Sequence, residues 1–329
     1  MKVFIYSTRK FEKEALEKAL FRHEVRMSEA RLNVDTAMLA RGSDAVSIFV
    51  NDDASAPVLA RLHEAGVRHL ALRSAGFNHV DLVEARRLGM RVARVPEYSP
   101  AAIAEHTIAL MLALNRKIVR AHNRVRDLNF SLEGLAGFDM SGKTVAIIGT
   151  GKIGRVVARI LHGFGCKLVA FDPYVSEELK NKYDVRYKDI ESVLKESDIV
   201  TLHLPLTAES RYIINRARIE IMKPGVMLIN TSRGALVNTK DVIEALKTGK
   251  IGYFGMDVYE EEEGLFFEDH SEHILQDDVI ARLMTFQNVL ITSHQAFLTA
   301  EALTQIAETT GYNLDCWAAG EASKNELKV

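Results

Sequence analysis

The sequence has 329 residues, of which 47% are hydrophobic and 26% charged, and its formal net charge is −2. This composition is typical of a soluble globular protein long enough for two domains, and it excludes a general electrostatic attraction to nucleic acid or to an anionic membrane. The two cysteines, Cys166 and Cys316, have neither metal-type nor disulfide-type spacing, so we expect no metal site and a reducing, cytoplasmic environment.

The first hundred residues alternate short apolar strands with helical segments. They begin directly with a strand and a charged helix, which is not the pattern of a signal peptide. We predict strands at 3–6, 45–50, 69–72 and 91–95, and helices at about 9–21, 59–65 and 80–88. Such alternation indicates a parallel, doubly wound sheet. Because this lobe contains no G-x-G-x-x-G motif, we do not expect it to hold a nucleotide.

A long helix and a second series of strands follow. Ser99 suits a helix N-cap and Pro100 the first turn, so we predict one helix from 100 to about 129. Its apolar run is far shorter than the ~20 residues that a membrane span needs, so we expect no membrane role. Further strands are predicted at 145–148, 168–171, 199–202, 226–230, 251–257 and 289–292, and a last helix at about 299–320.

The order of these elements predicts the fold and its division into domains. We expect an α/β protein with two doubly wound parallel-sheet (Rossmann-like) domains separated by a cleft. The last helix has no domain of its own, so we assign it to the first lobe. A discontinuous substrate-binding domain then covers 1–99 plus 299–329, and a nucleotide-binding domain covers 100–298, entered through the long helix at about 100–129.

A glycine-rich turn near the middle of the chain indicates a dinucleotide site. The β-branched run 145–148 is followed by G-x-G-x-x-G, formed by Gly149, Gly151 and Gly154, and then by a helix from about 153 to 164. The first glycine allows the tight turn, the second lets the backbone approach a pyrophosphate, and the third allows the helix to pack closely on the strand. The helix would direct its N–H groups and positive dipole end at the pyrophosphate.

Asp172 ends the next predicted strand, about 20 residues further along the chain. A carboxylate at this place can bind the ribose hydroxyls of adenosine and would repel a 2′-phosphate, which favours NAD over NADP. Alternatively, Asp172 only forms a strand-end turn with Pro173. The complete order of strand, turn, helix, strand and acid favours the first interpretation.

Three side chains follow the ends of late strands and are candidates for catalysis: Arg233, Glu262 and His294. Strand ends on one edge of a parallel sheet converge, so the three can meet beside the cofactor. Arg233 would bind a substrate carboxylate through two hydrogen bonds. His294 would donate a proton to the carbonyl oxygen of a 2-keto acid, and Glu262 would orient the imidazole and favour its protonated form.

Each of these residues also has a simpler interpretation. An arginine in a glycine turn is often a solvated surface charge, and His294 is one of eleven histidines. Glu262 lies in the acidic run 260–263, and spacing alone does not show which of the four carboxylates points inward. The three residues support a catalytic site only together and only beside the dinucleotide turn.

Several segments resemble the D-isomer-specific 2-hydroxyacid dehydrogenase family. From the glycine turn onward these are GTGKIG at 149–154, KPGVMLINTSRGALV at 223–237, GMDVYEEEE at 255–263 and SHQAFLT at 293–299. The segments RSAGFNHVDL at 73–82, VPEYSPAAIAEHT at 95–107 and FFED at 266–269 look most like the fermentative D-lactate dehydrogenase branch. The resemblance covers nearly the whole chain.

The resemblance implies roles for individual residues. The family's arginine and histidine fall on Arg233 and His294, and its glutamate, five positions after Asp257, falls on Glu262. The implied cofactor contacts are Gly149, Gly151, Lys152, Ile153, Gly154, Asp172, Leu204, Pro205, Thr231, Ser232, Arg233 and Asp257. The implied substrate contacts are Ala75, Gly76, Tyr98, Arg233 and Phe297.

The resemblance also implies the activity. It is similar to that of an NAD-dependent D-lactate dehydrogenase, which reduces pyruvate with NADH in fermentation. Alternatives are a hydroxyisocaproate, glycerate, phosphoglycerate or phenyllactate type of 2-hydroxyacid dehydrogenase, or an NAD(H)-sensing, corepressor-like binding protein. The expected partners are a small 2-keto or 2-hydroxy acid and further copies of the chain in a dimer or tetramer.

Overall fold

The computed structural model describes residues 1–328, and the chain divides into two compact units. The first unit contains Met1–Ser99 together with the segment from Leu298 onward, and the second unit contains Pro100–Phe297. The boundary that we placed after residue 298 therefore falls after Phe297. Each unit is built on its own sheet, and both sheets are entirely parallel.

The first unit begins with a five-stranded sheet of order β2-β1-β3-β4-β5. Its strands are β1 (Lys2–Ile5), β2 (Glu24–Met27), β3 (Ala45–Ile48), β4 (His69–Leu72) and β5 (Arg91–Ala93). Its first three helices are α1 (Lys10–Ala19), α2 (Ala56–Glu64) and α3 (Leu82–Arg87). The β2 strand was missed in the sequence because EVRM has no apolar run, and only its pairing with β1 makes it a strand.

The second unit has a seven-stranded sheet of order β12-β11-β10-β9-β6-β7-β8. Its strands are β6 (Thr144–Ile148), β7 (Lys167–Phe171), β8 (Arg186–Tyr187), β9 (Ile199–Leu202), β10 (Val226–Asn230), β11 (Ile251–Met256) and β12 (Val289–Ile291). Its helices are α4 (Pro100–Asn115), α5 (Ile118–Arg126), α6 (Lys152–Gly163), α7 (Glu177–Tyr183), α8 (Ile190–Glu196), α9 (Arg216–Ile221), α10 (Thr239–Lys247) and α11 (Asp278–Met284). The chain then returns to the first unit with α12 (Ala300–Ala318), which packs against α1.

The strand order places a topological switch point between β6 and β9. From β6 the chain builds outward through β7 and β8, then crosses to β9 and builds the other half of the sheet. In open parallel sheets of this kind, ligands bind at the carboxyl ends of the strands that flank such a point. The glycine turn follows β6, so it lies where the topology favours a ligand site.

The core of the second unit covers both faces of its sheet. Alternate residues of β6 contribute to the two sides, with Ala146 and Ile148 in one buried cluster and Val145 and Ile147 in the other. All five residues of β10 are buried. This is why these strands read as continuous apolar runs in the sequence rather than as an alternating pattern.

The single long helix predicted at about 100–129 is wrong, because the chain forms two helices, α4 and α5, instead. Lys117 between them has a left-handed backbone with φ 51°, which ends the regular helical run. The amide side chain of Asn115 donates to Phe138 O at 2.7 Å and accepts from Phe138 N at 2.8 Å. The returning loop is therefore fixed to the last turn of α4, a contact that the local sequence does not reveal.

The two helices differ in their surroundings. α4 is mainly apolar and largely buried, whereas α5 has no buried residue. Among residues 1–328, no helix combines the length and the apolar character that a membrane crossing requires.

Candidate active site

The three glycines of the turn between β6 and α6 differ in their surroundings. Gly149 has φ 97°, and a Cβ atom there would lie 2.6 Å from the carbonyl oxygen of His203. At Gly154, a Cβ atom would lie 2.1 Å from the carbonyl oxygen of Gly149. At Gly151, which caps α6, a Cβ atom would meet nothing within 4 Å. The outer two glycines thus permit close backbone packing, while the middle one leaves open space before the helix.

This arrangement fits a dinucleotide. α6 has 12 residues, and the N–H groups of its first turn have no carbonyl partners within the helix. These N–H groups and the helix dipole favour an anionic group in the space that Gly151 leaves. Lys152 and Ile153 are the first residues of α6, so both lie at this end of the helix.

Asp172 closes the glycine turn. Its Oδ2 accepts the Thr150 N–H at 2.6 Å and the Thr150 hydroxyl at 3.1 Å, and its Oδ1 accepts the Tyr174 N–H at 2.8 Å. The strand-end turn that we considered as an alternative is therefore present, and the carboxylate also lies directly beside the dinucleotide turn. Binding of the ribose by Asp172 stays a prediction.

Two substitutions separate the charge of Asp172 from its structural contacts. Asp172→Asn keeps an acceptor for the Thr150 N–H but removes the charge, whereas Asp172→Ala removes both. We expect both variants to reduce the preference for NAD over NADP by roughly 10-fold, equivalent to about 1.4 kcal/mol. Only the alanine variant should also lose thermal stability. Steady-state kinetics with both cofactors measure the preference, and an unchanged ratio would show that the carboxylate does not act on the ribose.

On the other side of the switch point, hydroxyl groups fix the loops after β9 and β10. The Ser232 hydroxyl donates to Leu204 O at 2.6 Å, and the buried Thr231 hydroxyl pairs with that of Thr107 at 2.8 Å. With Pro205, these predicted cofactor contacts lie at the carboxyl ends of adjacent strands. Contact of these residues with the cofactor stays a prediction, while the hydroxyl groups of Thr231 and Ser232 hold the loops in place.

Arg233 lies in the turn after β10, and two residues that the sequence analysis missed determine its position. The buried Asn230 donates to Arg233 O at 2.8 Å and accepts the Ser232 N–H at 3.1 Å. A Cβ atom at Gly234 would lie 2.0 Å from the carbonyl carbon of Tyr259. Because Gly234 has no side chain, the arginine turn lies directly against the backbone that follows β11, the segment that carries Glu262.

The structure brings Glu262 and His294 together. His294 Nδ1 lies 2.9 Å from Glu262 Oε1, and Glu262 Oε2 accepts the Tyr259 N–H at 3.2 Å. Glu260 is engaged elsewhere, accepting the Tyr212 hydroxyl at 2.8 Å and the Thr239 N–H at 3.2 Å. Of these two carboxylates in the acidic run, it is therefore Glu262 that orients the imidazole. With Nδ1 bound to the carboxylate, Nε2 is the nitrogen left to meet a substrate.

Asp257 anchors the turn that carries His294. Its carboxylate is buried and accepts the Thr292 hydroxyl at 2.5 Å and the N–H groups of Gln295 and Ala296, each at 2.9 Å. Its carbonyl oxygen accepts the His294 N–H at 2.6 Å. These bonds hold His294 in a left-handed conformation with φ 52°, which is uncommon for a residue other than glycine. A cofactor contact by Asp257 stays a prediction beside this structural role.

Hydrogen bonding keeps the Asp257 carboxylate ionised. Burial alone would raise the pKa of Asp257, but hydrogen bonds from His106, Thr292 and the N–H groups of Ala296 and Gln295 outweigh it and lower the pKa below its usual value. The ionised Asp257 carboxylate therefore contributes fully to the stability of the fold above the ordinary pKa of aspartate. This contribution is lost as the pH falls through the lowered pKa of Asp257.

Phe267 contacts the imidazole of His294, and the sequence analysis did not find it. The centroid of its ring lies 5.7 Å from that of His294, with an angle of 38° between the planes. Its own backbone is left-handed, with φ 68°. Such strain in a bulky residue is typical of functional sites. No local pattern predicts this contact, since the loop and the histidine are brought together only by the fold.

The remaining predicted substrate contacts have varied positions. Ala75 and Gly76 follow β4, and their carbonyl oxygens accept from the Arg94 guanidinium and the Ser74 hydroxyl, both at 2.7 Å. Tyr98 follows β5 in the same first unit, whereas Phe297 is buried and is the last residue of the second. Substrate binding by these residues stays a prediction. Arg233, Glu262 and His294 all belong to the second unit.

Comparison with known proteins identifies the family of the chain. Residues 108–296 match the family described as D-isomer specific 2-hydroxyacid dehydrogenase, NAD binding domain. A D-lactate dehydrogenase of Escherichia coli (strain K12) is 53% identical over 329 residues, which cover 99% of this chain and 100% of the relative. The solved structure of a Salmonella D-lactate dehydrogenase is 53% identical, with a TM-score of 0.88 and full coverage of both chains.

A more distant structure shows a relative with its ligands. It is a D-lactate dehydrogenase from Aquifex aeolicus complexed with NAD and lactic acid, 32% identical, with a TM-score of 0.87 and coverage of 97% of this chain and 96% of that one. The two parallel sheets and the NAD-binding domain predicted from the sequence are thereby confirmed. The chain belongs to the D-isomer specific 2-hydroxyacid dehydrogenase family and is an NAD-dependent oxidoreductase.

Proposed function

We propose that the protein is a D-lactate dehydrogenase that reduces pyruvate to D-lactate with NADH. The observation that carries this proposal is the pairing of His294 with Glu262 at 2.9 Å, on a sheet edge that also presents Arg233. The high identity to the Escherichia coli D-lactate dehydrogenase supports pyruvate as the substrate.

The three residues divide the work of the reaction. Arg233 binds the substrate carboxylate through two parallel hydrogen bonds and so orients the keto group. His294 donates the proton on Nε2 to the carbonyl oxygen, and in the reverse direction it accepts that proton from the hydroxyl. Glu262 holds Nδ1, which fixes the orientation of the ring and directs Nε2 towards the substrate. Bound NADH supplies the hydride.

The first unit favours a substrate without phosphate. Arg73 is the cationic residue nearest in sequence to Ala75 and Gly76, but it is 2% exposed. Its guanidinium binds the Glu12 carboxylate, with Nε at 3.0 Å and Nη2 at 3.1 Å. Because this charge is neutralised inside the unit, Arg73 is not available for a phosphate group. The Arg94 guanidinium is also engaged, donating to Ala75 O at 2.7 Å and lying over the Phe77 ring, which argues against the phosphoglycerate type.

A kinetic panel tests the proposal. NADH oxidation is measured with pyruvate, 2-ketobutyrate, phenylpyruvate and hydroxypyruvate, and the reverse reaction with D- and L-lactate. We expect the highest kcat/KM with pyruvate and oxidation of the D-isomer alone. A higher kcat/KM with a bulkier keto acid would identify another member of the same class. Absence of turnover with all four acids would leave an NAD(H)-binding protein without this activity.

We also propose that the chain forms a homo-oligomer through α5 and the loop after it. Apolar side chains are exposed there to an extent unusual for a surface that stays in water: Ile118 (53%), Val119 (50%), Val125 (49%), Leu128 (79%), Phe130 (69%) and Leu132 (81%). A second copy presenting the same surface would cover them in a symmetric contact.

The oligomer is tested by placing charge in this patch. We expect the double substitution Leu128→Asp, Leu132→Asp to lower the mass measured by light scattering after gel filtration, because each aspartate would be desolvated in the contact. Val83→Asp, at a 72% exposed valine of α3, is the matched control and should not change the mass. An unchanged mass in the double variant would contradict the proposed interface.

A further inference from the structure

His106 is a polar residue on a helix that is otherwise mainly apolar. It lies on α4, and its side chain is 18% exposed. Its Nε2 lies 3.0 Å from the hydroxyl of Thr292 and 3.5 Å from Oδ1 of Asp257. Thr292 follows the edge strand β12, 186 residues further along the chain. The imidazole therefore connects α4 to the turn that carries the catalytic His294.

The chemistry of the partners decides which group donates and which accepts in each hydrogen bond around Thr292. The Asp257 carboxylate is ionised and can only accept, so the Thr292 hydroxyl must donate its single hydrogen to Oδ1 at 2.5 Å. The Thr292 oxygen can then only accept from His106. It follows that His106 carries a hydrogen on Nε2 and donates it to Thr292 at 3.0 Å, with Asp257 Oδ1 as a second, more distant acceptor at 3.5 Å. Donation therefore runs from His106 to Thr292 and from Thr292 to Asp257.

This series of hydrogen bonds ends at the backbone around His294. Asp257 binds the N–H groups of Gln295 and Ala296 through its carboxylate and that of His294 through its carbonyl oxygen. These three bonds fix the left-handed backbone of His294, a conformation that is uncommon for residues other than glycine although histidine adopts it more readily than most.

α4, which carries His106, packs closely against the sheet. It lies against β11, where a Cβ atom at Gly255 would come within 3.0 Å of Leu114 Cδ1 and 3.5 Å of Leu110 Cβ. Leu110, Met111 and Leu114 belong to the buried cluster on this face of the sheet. A donor placed on α4 is thus held at a fixed distance from the turn.

We propose that His106 is a positioning residue for the reduction: by donating from Nε2 to Thr292, it holds the turn in which His294 presents its imidazole. In the hydrogen bonds described above, His106 does not contact the side chain of Arg233, Glu262 or His294. The inference rests on the proposed function for its effect on turnover, and its effect on the turn can be measured without turnover.

Four variants test this proposal. His106→Leu removes the donor, His106→Gln offers an amide N–H at the same distance from the backbone, Thr292→Val removes the acceptor, and the fourth variant combines His106→Leu with Thr292→Val. We expect His106→Leu to lower kcat by about 5- to 30-fold, the factor for a loss of one or two kcal/mol. The glutamine variant should recover most of kcat, and NADH affinity should stay within about twofold. Because the two residues act as a pair, the double variant should be less impaired than the product of the single effects.

Hydrogen–deuterium exchange of the peptide covering 289–299 provides the readout that does not need activity. His106→Leu should speed exchange in this peptide, and His106→Gln should not. His162→Leu, which changes an exposed histidine of α6, is the matched control for both measurements and should match the wild type. If His106→Leu does not fold, His106→Asn replaces it, since its shorter amide does not reach Thr292.

The outcomes separate this proposal from the proposed function. A wild type without turnover contradicts the dehydrogenase function, but faster exchange in the variant would still support the positioning of the turn. Equal kcat and equal exchange in His106→Leu and wild type would overturn the proposal. Equal impairment of the leucine and glutamine variants would also overturn it, because it would indicate lost packing rather than lost donation.

Discussion

Replacing His294 by glutamine is expected to lower kcat for pyruvate reduction by roughly 10²–10⁴-fold. The glutamine amide cannot transfer a proton to the carbonyl oxygen, whereas the imidazole held by Glu262 at 2.9 Å can. The glycine turn and α6 are untouched by this change, so NADH affinity, measured by fluorescence titration, should stay within a few-fold.

The left-handed backbone of His294 calls for a second variant. Asparagine adopts positive φ more readily than glutamine, so His294→Asn removes the imidazole with less strain at φ 52°. Both variants should be inactive to a similar degree if the lost group is the proton donor. Near-normal turnover in either one would remove His294 from the mechanism.

Replacing Arg233 by glutamine should lower kcat/KM for pyruvate by about 30- to several-thousand-fold. The substrate carboxylate would lose a charged, bidentate partner, and removing one partner of such a pair costs about 2–5 kcal/mol. Arg233→Lys keeps the charge but not the planar pair of donors, so we expect it to recover only part of the loss. Steady-state kinetics with a wide range of pyruvate concentrations separate the effect on KM from that on kcat.

The matched control for Arg233 is Arg159, a surface arginine of α6 further from the glycine turn. Arg159→Gln removes the same charge from the same unit and should change kcat/KM for pyruvate by less than about twofold. A similar loss in both variants would mean that general electrostatics, rather than a specific clamp at Arg233, attracts the substrate.

The sequence was most informative where local chemistry decides the structure. The apolar strands around Gly149 and the three glycines predicted the nucleotide turn, because the turn is one short stretch in which Gly149 and Gly154 permit close backbone contacts and Gly151 leaves open space. The ends of β10 and β12 likewise placed Arg233 and His294 at one edge. Glu262 could be chosen from its acidic run only through the family resemblance, since Glu260 differs from it in long-range partners and not in its neighbours in sequence.

Contacts between distant parts of the chain were beyond the reach of the sequence. The break between α4 and α5 depends on a loop that returns to Asn115, and the short strands β2 and β8 form only by pairing with a neighbour. Phe267 and His106 approach the turn that carries His294 from parts of the chain outside that turn. None of these has a periodic or compositional signal, because a tertiary partner stabilises each one.

His294 follows the edge strand of its sheet. β12 has three residues, all partly exposed, and pairs with β11 alone. Edge strands of this kind open at a lower free energy than the centre of a sheet. A local opening here would detach His294 from Glu262 while the buried β9 and β10 stay paired. The single tryptophan, Trp317, lies on α12 in the other unit. Loss of activity in mild denaturant therefore reports the free energy of local opening at β12, whereas tryptophan emission reports unfolding of the first unit.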